Sequence, residues 1–450
     1  MEVHCGGHNH CPSGGVGISN PGYWGMNIEQ GKRYKVVYHV KTAGKFDFQL
    51  SFMGVDVINV ASNITNISGD GKWKRVETIV EAKATNHNSS LQITTISEGT
   101  YLLDQVSAMP LDTHKGHGFR KDIYQMVADL KPKFLRFPGG TYVEGKHLTN
   151  QYHWKETTGS WEDRPGHFND IWNYWSDDGI GYFEYLQLAE DLGALPIWVF
   201  NAGISVRNEI NTSAIAPYLM DALDGIEFAR GSHKSKWGSV RAAMGHPKPF
   251  DLRYVAVGNE DCHHANYQGN YLMFHQAIKF AYPDIKIISN CDASKKPLNH
   301  PADLFDFHIY TNSIGMFSSS ARFDLTSRSG PKVFVSEYAV WRTDAANGSL
   351  LAAISEAAFL IGLEKNSTFL QAVNFGTTTE SLNISINGLN PDVLQHDSVN
   401  TVLTSSNVMH GNSFLEPRKV VPQTGSLVNI DKDINDILSP YTVTSFDLLT

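Results

Sequence analysis

The stretch YVAVGNEDC, residues 254–262, shows how the central part of this chain folds. Its apolar run stops at a glycine and is followed at once by Asn259 and Glu260. A second stretch, KVFVSEYAV at residues 332–340, is also apolar and is interrupted by Glu337. Short apolar runs of this kind are typical of buried strands. Each of the two strands therefore presents a glutamate where its apolar run stops.

The residues around these two stretches alternate between apolar strands and helices. Six predicted strands cover residues 133–140, 196–203, 254–260, 285–292, 304–311 and 332–338. Helical periodicity is found at residues 182–193, 214–231, 269–282 and 349–366. Apolar strands that alternate with helices predict a parallel sheet. Six strands at this spacing indicate a (β/α)8 barrel with two strands not found. An open doubly wound sheet is the alternative, but no glycine-rich nucleotide fingerprint opens these helices.

Both flanks of this region have the pattern of antiparallel β structure. Alternating, β-branched segments separated by Gly, Asn and Asp fill the N-terminal part, among them two predicted strands at residues 34–40 and 45–52. Similar segments return after about residue 370. We therefore expect three domains: a β-sandwich at residues 1–112, the barrel at residues 113–370 and a second β-sandwich at residues 371–450. The predicted fold class is α/β plus all-β.

The composition of the chain does not favour nucleic acids or membranes as partners. The 450 residues are 41% hydrophobic and 18% charged, as expected of a folded chain. The formal net charge is −9 and the pI is near 6.1, without a Lys/Arg tract, so no nucleic-acid partner is expected. No apolar run has the length of a membrane span, so no membrane partner is expected either. The sequence does not indicate an oligomeric state.

Asparagine sequons and cysteines point to an extracellular protein. Seven Asn-x-Ser/Thr sequons occur, at Asn63, Asn66, Asn88, Asn211, Asn347, Asn366 and Asn383. In that setting the four cysteines predict two disulfides, Cys5–Cys11 and Cys262–Cys291. The N-terminus has neither a basic region nor an apolar region of a signal peptide. We expect a secreted protein of the extracellular matrix or cell wall whose N-terminus is incomplete here.

Polar residues at the ends of the predicted strands are the candidates for chemistry, because the carboxyl ends of barrel strands form the active face. They are Arg136, Asn201, Asn259, Glu260, Asn290, Asp292, His308, Tyr310 and Glu337. Glu260 and Glu337 are 77 residues apart and meet only if the barrel closes. Two facing carboxylates at a barrel mouth are the machinery of glycoside hydrolysis. A surface ion pair is the alternative for either one taken alone.

The neighbouring residues add to this hypothesis. Asn259 can bind a sugar hydroxyl beside the acid, although an asparagine is also common in turns. His308 and Tyr310 lie on the same face of one strand and can orient Glu337, whereas a core histidine is the simpler reading of His308. If Glu260 is the proton donor, its pKa must lie above the ~4.3 of a free glutamate, which burial and the second carboxylate can achieve.

A metal site is the remaining chemical alternative. The stretches HCGGHNHC (4–11) and CHH (262–264) contain zinc ligand types, but neither has paired CxxC spacing. We therefore expect no metal. No GxSxG elbow and no P-loop is present, so serine-hydrolase and phosphoryl-transfer chemistry have no support.

The chain resembles the plant-type α-L-arabinofuranosidases of glycoside hydrolase family 51. The resemblance rests on stretches that include GGVGISNPGYWGMNIEQGKRYKV, KPKFLRFPGG, RPGHFNDIWNYWSDDGIGYFEYLQLAEDLGALPIWVFNAGIS, YVAVGNEDC, FDFHIYT and PKVFVSEYAV. It implies a retaining enzyme without a cofactor that releases terminal arabinofuranose from arabinoxylan, arabinan or arabinogalactan. Glu260 would be the acid/base and Glu337 the nucleophile. The substrate-binding residues would be Asn259, His308, Tyr310, Asn201 and Arg136. The N-terminal sandwich would be carbohydrate-binding-module-like.

Departures from the family pattern concern the barrel edges. The first and eighth barrel strands of the family are missing here, and Thr141 stands where Cys or Asn is usual. All three predicted domains would then be incomplete. Because an open parallel edge leaves backbone groups unpaired, we expect low solubility and little activity of the 450-residue chain. The alternatives are an inactive carbohydrate-binding remnant of the family and a β-xylosidase-like hydrolase.

Overall fold

The structure is a computed structural model that describes residues 1–6, 11–55, 59–364, 370–385, 398–427 and 433–447. Its contacts divide the chain into two units. The first comprises Met1–Leu135, Thr157–Pro165 and Asp178–Ala194, and the second comprises Arg136–Glu156, Gly166–Asp177 and Leu195–Thr450. The domain boundaries predicted at residues 112/113 and 370/371 stay predictions.

The first unit is built on antiparallel strands. They are β1 (Glu2–Cys5), β2 (Val16–Asn20), β3 (Met26–Ile28), β4 (Arg33–Met53), β5 (Asn59–Glu81), β6 (Asn86–Thr95) and β7 (Gly99–Pro110). Their order is β1-β7-β4-β6-β2, while β3 pairs with β6 and β5 with β4. Two helices belong to this unit, α1 (Lys121–Asp129) and α2 (Tyr182–Leu192). The prediction of antiparallel β structure is confirmed; its arrangement as a sandwich stays a prediction.

The prediction of two separate strands in the region of β4 is wrong. Residues 34–40 and 45–52 alternate as two strands would, yet they lie in one strand of 21 residues. The reason is that β5 pairs with it along nearly its whole length, from Arg33 opposite Glu81 to Met53 opposite Asn59. The inward side chains, among them Tyr38 and Phe48, are fully buried in the core of this unit.

The second unit contains the predicted parallel sheet. Its strands are β8 (Phe134–Phe137), β11 (Leu195–Phe200), β12 (Tyr254–Val257), β13 (Lys286–Ser289), β14 (Leu304–Thr311) and β15 (Lys332–Val340). All six predicted strands are therefore present, and they follow one another in the order β15-β14-β13-β12-β11-β8. The ladders that join β11, β12, β13, β14 and β15 are parallel. Short strands β9 (His167–Asn169) and β10 (Tyr174–Ser176) form a separate pair.

Helices of the second unit follow its strands. They are α3 (Ala216–Arg230), α4 (Lys236–Ala243), α5 (Tyr267–Ala281), α6 (Ser313–Ser318) and α7 (Leu350–Leu363). The sequence analysis missed the short helices α1, α4 and α6 and found the others. Side chains from five neighbouring strands and one loop, including Val199, Ala256 and Ile288, pack together inside the sheet. No helix in the described ranges is both long and apolar enough to cross a bilayer.

The C-terminal part of the second unit is antiparallel. It contains β16 (Leu370–Asn374), β17 (Glu380–Ser385), β18 (Val399–Leu403), β19 (Gln423–Ser426), β20 (Asp433–Leu438) and β21 (Thr442–Asp447). One sheet has the order β16-β21-β18-β19, and β17 pairs with β20. Leu350 and Ile354 of α7 pack with Val420 against this region.

The two end strands of the parallel sheet approach each other without pairing. Within the residues that the structure describes, no ladder joins β8 to β15. Arg136 on β8 nevertheless lies 2.9 Å from Glu337 on β15. The sheet is therefore a nearly closed barrel, and a side-chain ion pair rather than a backbone ladder links its two edges.

Candidate active site

The turn after β12 presents Glu260. The strand ends at Val257 because Gly258 takes a φ of 77°, where an added Cβ would lie 2.2 Å from Asp261 Oδ2. Glu260 itself has a φ of 53°, in the left-handed region. The predicted strand over residues 254–260 is thus three residues too long. This turn buries Asn259 and leaves the Glu260 side chain half exposed.

Glu337 lies inside β15 rather than at its end, next to His308 on β14. Both of its carboxylate oxygens accept hydrogen bonds. Arg136 Nη1 donates to Oε1 at 2.9 Å, and the Tyr310 hydroxyl donates to Oε2 at 2.7 Å. These two donors fix the carboxylate in position.

His308 lies between the two glutamates. Its Nδ1 is 2.8 Å from Glu260 Oε1 and 3.8 Å from Glu337 Oε2. Its Nε2 is 2.8 Å from Ser336 Oγ and 3.1 Å from Asp306 Oδ2. Burial lowers the pKa of His308, but the hydrogen bonds to Asp306 and Glu260 outweigh burial and raise it to about 9. The imidazole is therefore protonated at neutral pH.

The predicted direction of the Glu260 pKa shift is wrong, and the reason is the contact with His308. The hydrogen bond from His308 lowers this pKa below its ordinary value and outweighs burial, which raises it. The sequence analysis expected the opposite direction, because it counted burial and a second carboxylate but no cation. In the unliganded site the proton of the Glu260–His308 pair thus resides on the imidazole.

Of the other predicted substrate-binding residues, Arg136 and Tyr310 contact Glu337, and Asn259 contacts Arg136. Arg136 Nη2 donates to Asn259 Oδ1 at 2.7 Å, so these two side chains are engaged with each other. Tyr310 is 45% exposed and open to a ligand beside Glu337. The Asn201 side chain bonds to the main chain of Val143, Gly203 and Ile204, which favours a loop-holding role.

Two further candidates take part in local contacts. Asn290 donates to the carbonyl of Val257 at 3.3 Å, and Asp292 accepts from Arg322 at 3.1 Å. Three residues of the site escaped the sequence analysis: Asp306, Ser336 and Glu144. The first two stand two positions before His308 and one before Glu337, so strand alternation could have placed Asp306 beside His308. The sequence gives no signal for Glu144.

Both predicted cysteine pairs are disulfides in the structure, with Cα–Cα distances of 5.2 Å for Cys5–Cys11 and 5.1 Å for Cys262–Cys291. The second bridge ties the loop that follows Glu260 to the loop after β13. Zinc thiolates are therefore excluded at these four positions while the bridges are formed.

One cluster has the residue types of a metal site. Glu260, His308 and Glu337 each offer a ligand atom, and these three atoms lie within 4.8 Å of one another. The hydrogen bonds of His308 account for its position in this cluster.

Replacing His308 by glutamine is expected to flatten the pH dependence of stability. Because the pKa of His308 is about 9 in the folded chain against 6.5 ordinarily, its contribution to the unfolding free energy is complete below about pH 6.5. It is lost as the pH rises through about 9, and it amounts to roughly 3 kcal/mol. Urea unfolding across this range measures it, with exposed His233→Gln as the control. Equal pH slopes for the His308 variant and the unmodified chain would contradict the assignment.

A nearly closed parallel barrel with two neighbouring carboxylates, one held by Arg and Tyr and the other by His, is typical of a glycoside hydrolase. The comparisons with known proteins agree. Residues 126–328 match the family model described as Alpha-L-arabinofuranosidase 1 domain. Alpha-L-arabinofuranosidases 1 and 2 of Arabidopsis thaliana are both 48% identical to this chain over its whole length and 78% of theirs. The chain belongs to the plant-type α-L-arabinofuranosidases of glycoside hydrolase family 51.

Solved structures support the fold. The arabinose-bound MgGH51 α-L-arabinofuranosidase superposes with a TM-score of 0.90 at 25% identity, covering 98% of this chain and 86% of that one. An arabinose complex of the Thermotoga maritima α-L-arabinofuranosidase gives a TM-score of 0.59 at 16% identity, covering 74% of this chain and 91% of that one. The fold is thus shared with the first structure over nearly the whole chain and with the second over about three quarters of it.

Proposed function

We propose that this chain is a retaining glycoside hydrolase that releases terminal α-L-arabinofuranosyl residues from arabinoxylan, arabinan or arabinogalactan. The observation that carries the proposal is the spacing of Glu260 and Glu337, of which one carboxylate oxygen each lies within 4.8 Å of the other. Carboxyl groups about 5–5.5 Å apart belong to retaining enzymes, whereas inverting enzymes need about 6.5–9.5 Å for a water. The named activity of the relatives supplies the sugar class.

Glu337 is the nucleophile of the proposed reaction. Its carboxylate attacks the anomeric carbon and forms a covalent glycosyl–enzyme bond while the glycosidic bond breaks. Arg136 and Tyr310 hold the two oxygens in one orientation, so little rotational freedom is lost on attack. In the second step a water molecule attacks the same carbon and frees Glu337.

Glu260 gives a proton to the leaving oxygen in the first step and takes one from water in the second. The proton is stored 2.8 Å away on His308 in the unliganded site. A bound sugar removes water from the half-exposed Glu260, and such desolvation raises the pKa of a carboxyl group. Substrate binding thus moves the proton from the imidazole to the carboxylate that uses it.

The stereochemistry of the product tests the proposal. We expect the first-formed arabinose to have the α configuration of the substrate, because two displacements at one carbon restore it. Proton NMR of an early time point of 4-nitrophenyl α-L-arabinofuranoside hydrolysis measures the anomer before mutarotation. A β product would show that water attacks directly and that Glu337 is a general base.

The choice of sugar separates the proposal from its alternatives, which the relatives do not favour. Faster hydrolysis of the arabinofuranoside than of 4-nitrophenyl β-D-xylopyranoside supports it, and the reverse order indicates a β-xylosidase-like enzyme. Binding of arabinan without turnover of either glycoside would indicate an inactive remnant. The same assay decides the expectation that the 450-residue chain has little activity.

We also propose that this chain lacks two strands of an eight-stranded barrel. The end strands β8 and β15 leave room in the sheet order for the two strands that an eight-stranded barrel needs. The alignment with the first Arabidopsis relative spans 531 positions against 450 residues here, so at least 81 aligned positions have no counterpart in this chain. A segment that completes the ring in the relatives is thus proposed to be absent.

We further propose a secreted glycoprotein that acts in the cell wall. Six of the seven sequon asparagines lie in the described part of the chain, and all six are exposed: Asn63, Asn66, Asn88, Asn211, Asn347 and Asn383. Asn366 lies outside the described residues. Exposure is what a glycan requires, and the two disulfides fit an oxidising compartment.

A further inference from the structure

Glu144 is a buried carboxyl group that the proposed mechanism does not use. It follows the short turn Gly140–Tyr142 after β8 and is 4% exposed. Its own N–H donates to the carbonyl of Thr141, and Asn201 donates to the carbonyl of the preceding Val143. Main-chain and side-chain bonds therefore fix this loop, and the carboxyl group points into the protein rather than into solvent.

One hydrogen-bonded chain leads from Glu144 to the nucleophile. The side-chain amide of Asn259 bonds to Glu144. Since Asn259 Oδ1 already accepts from Arg136 Nη2 at 2.7 Å, its NH₂ group is the part that faces Glu144. The other terminal nitrogen of Arg136 donates to Glu337 Oε1 at 2.9 Å. The order of the chain is Glu144, Asn259, Arg136, Glu337.

The surroundings of Glu144 favour its neutral form. The charged groups that act on it are the carboxylates Asp261, Glu260 and Glu337, and Oε1 has no hydrogen-bond partner among the residues that the structure describes. An ionised carboxylate with one buried oxygen left unpartnered is costly. Burial, with these neighbours, raises the pKa of Glu144 to about 9, and burial raises that of Asp261 to about 7.

We propose that Glu144 is a positioning residue: as a neutral acid it orients the Asn259 amide and, through Arg136, the carboxylate of Glu337. The proposal rests on the proposed function, which makes Glu337 the nucleophile. When Glu144 is neutral, Glu337 is not in competition with a second anion for the positive charge of Arg136. An ionised Glu144 adds a further negative charge beside Glu337, and Asn259 and Arg136 are drawn away from the nucleophile.

Two variants test the proposal with 4-nitrophenyl α-L-arabinofuranoside. Glu144→Leu removes the acceptor for Asn259, so kcat is expected to fall roughly 10- to 100-fold with KM nearly unchanged, because a small displacement of the nucleophile is enough. Glu144→Gln has the shape of the neutral acid and cannot ionise. Its kcat is expected to stay within about threefold near pH 6 and to decline less than that of the unmodified chain towards about pH 9. Exposed Glu156→Gln is the matched control.

The outcomes separate this proposal from the proposed function. Label from a slow fluorinated arabinoside on a residue other than Glu337 refutes the nucleophile assignment. Label on Glu337 together with an unchanged kcat in Glu144→Leu overturns the positioning role. If the leucine variant does not fold, the glutamine variant provides the test. The positioning role is also overturned if the kcat of Glu144→Gln declines towards high pH as steeply as that of the unmodified chain. Infrared difference spectra of Glu144→Gln give a readout without turnover: loss of a protonated carboxyl band supports the neutral form, and its absence contradicts it.

Discussion

Glu337→Gln is expected to abolish turnover of arabinofuranosides. The amide keeps the size of the side chain and can still accept from Tyr310, but it cannot form the glycosyl–enzyme bond. The loss of a nucleophile costs roughly 10⁴- to 10⁶-fold in kcat. Steady-state hydrolysis of 4-nitrophenyl α-L-arabinofuranoside measures it, and circular dichroism verifies that the variant is folded.

A control and a direct label complete this experiment. The exposed Glu364→Gln at the end of α7 changes the same functional group away from the site and should leave kcat as it is. A slow fluorinated arabinoside should label the unmodified chain at Glu337, which peptide mass spectrometry locates. Residual activity above about a hundredth in Glu337→Gln would refute the covalent mechanism.

Glu260→Ala is expected to have an effect that depends on the leaving group. An oligosaccharide leaves poorly and needs the proton, so its hydrolysis should fall roughly 10²- to 10⁴-fold. The 4-nitrophenolate group leaves without one, so formation of the intermediate should be nearly unaffected. The intermediate then accumulates, because no base activates water, and azide should restore its turnover as arabinosyl azide.

The role of Glu260 is tested by comparing the loss of rate on the two substrates. If Glu260→Ala slows an arabino-oligosaccharide and the 4-nitrophenyl glycoside by the same factor, Glu260 does not protonate the leaving oxygen. His308→Gln is a useful companion, because it removes the stored proton while keeping the carboxyl group of Glu260.

The sequence was sufficient for the six parallel strands and the pair of glutamates, because both follow from local patterns. Continuous apolar runs mark strands buried on both faces, and an acid within such a run has few structural explanations. The short helices α4 and α6 lack a clear apolar face, so periodicity could not reveal them. The length of β4 depends on its pairing with β5, which no single strand shows.

Properties of the site that depend on tertiary contact were beyond local patterns. The pKa of Glu260 is lowered by His308, which is 48 residues away along the chain. Glu144 is buried by loops and strands distant in sequence, and only the folded chain places it against Asn259. The sequence shows which side chains are available, whereas their charges depend on neighbours that the fold brings together.

The ion pair between Arg136 and Glu337 joins the proposed nucleophile to the edges of the barrel. Its side chains are 11% and 18% exposed, and it links β8 and β15, between which the described residues form no ladder. Many enzymes gain stability when a strained catalytic group is removed, a trade-off between stability and activity. Here the two properties depend on the same bond, since breaking one partner of a buried pair is destabilising. With Glu337 as the proposed nucleophile, a change that weakens this ion pair is expected to lower both turnover and the stability of the nearly closed barrel.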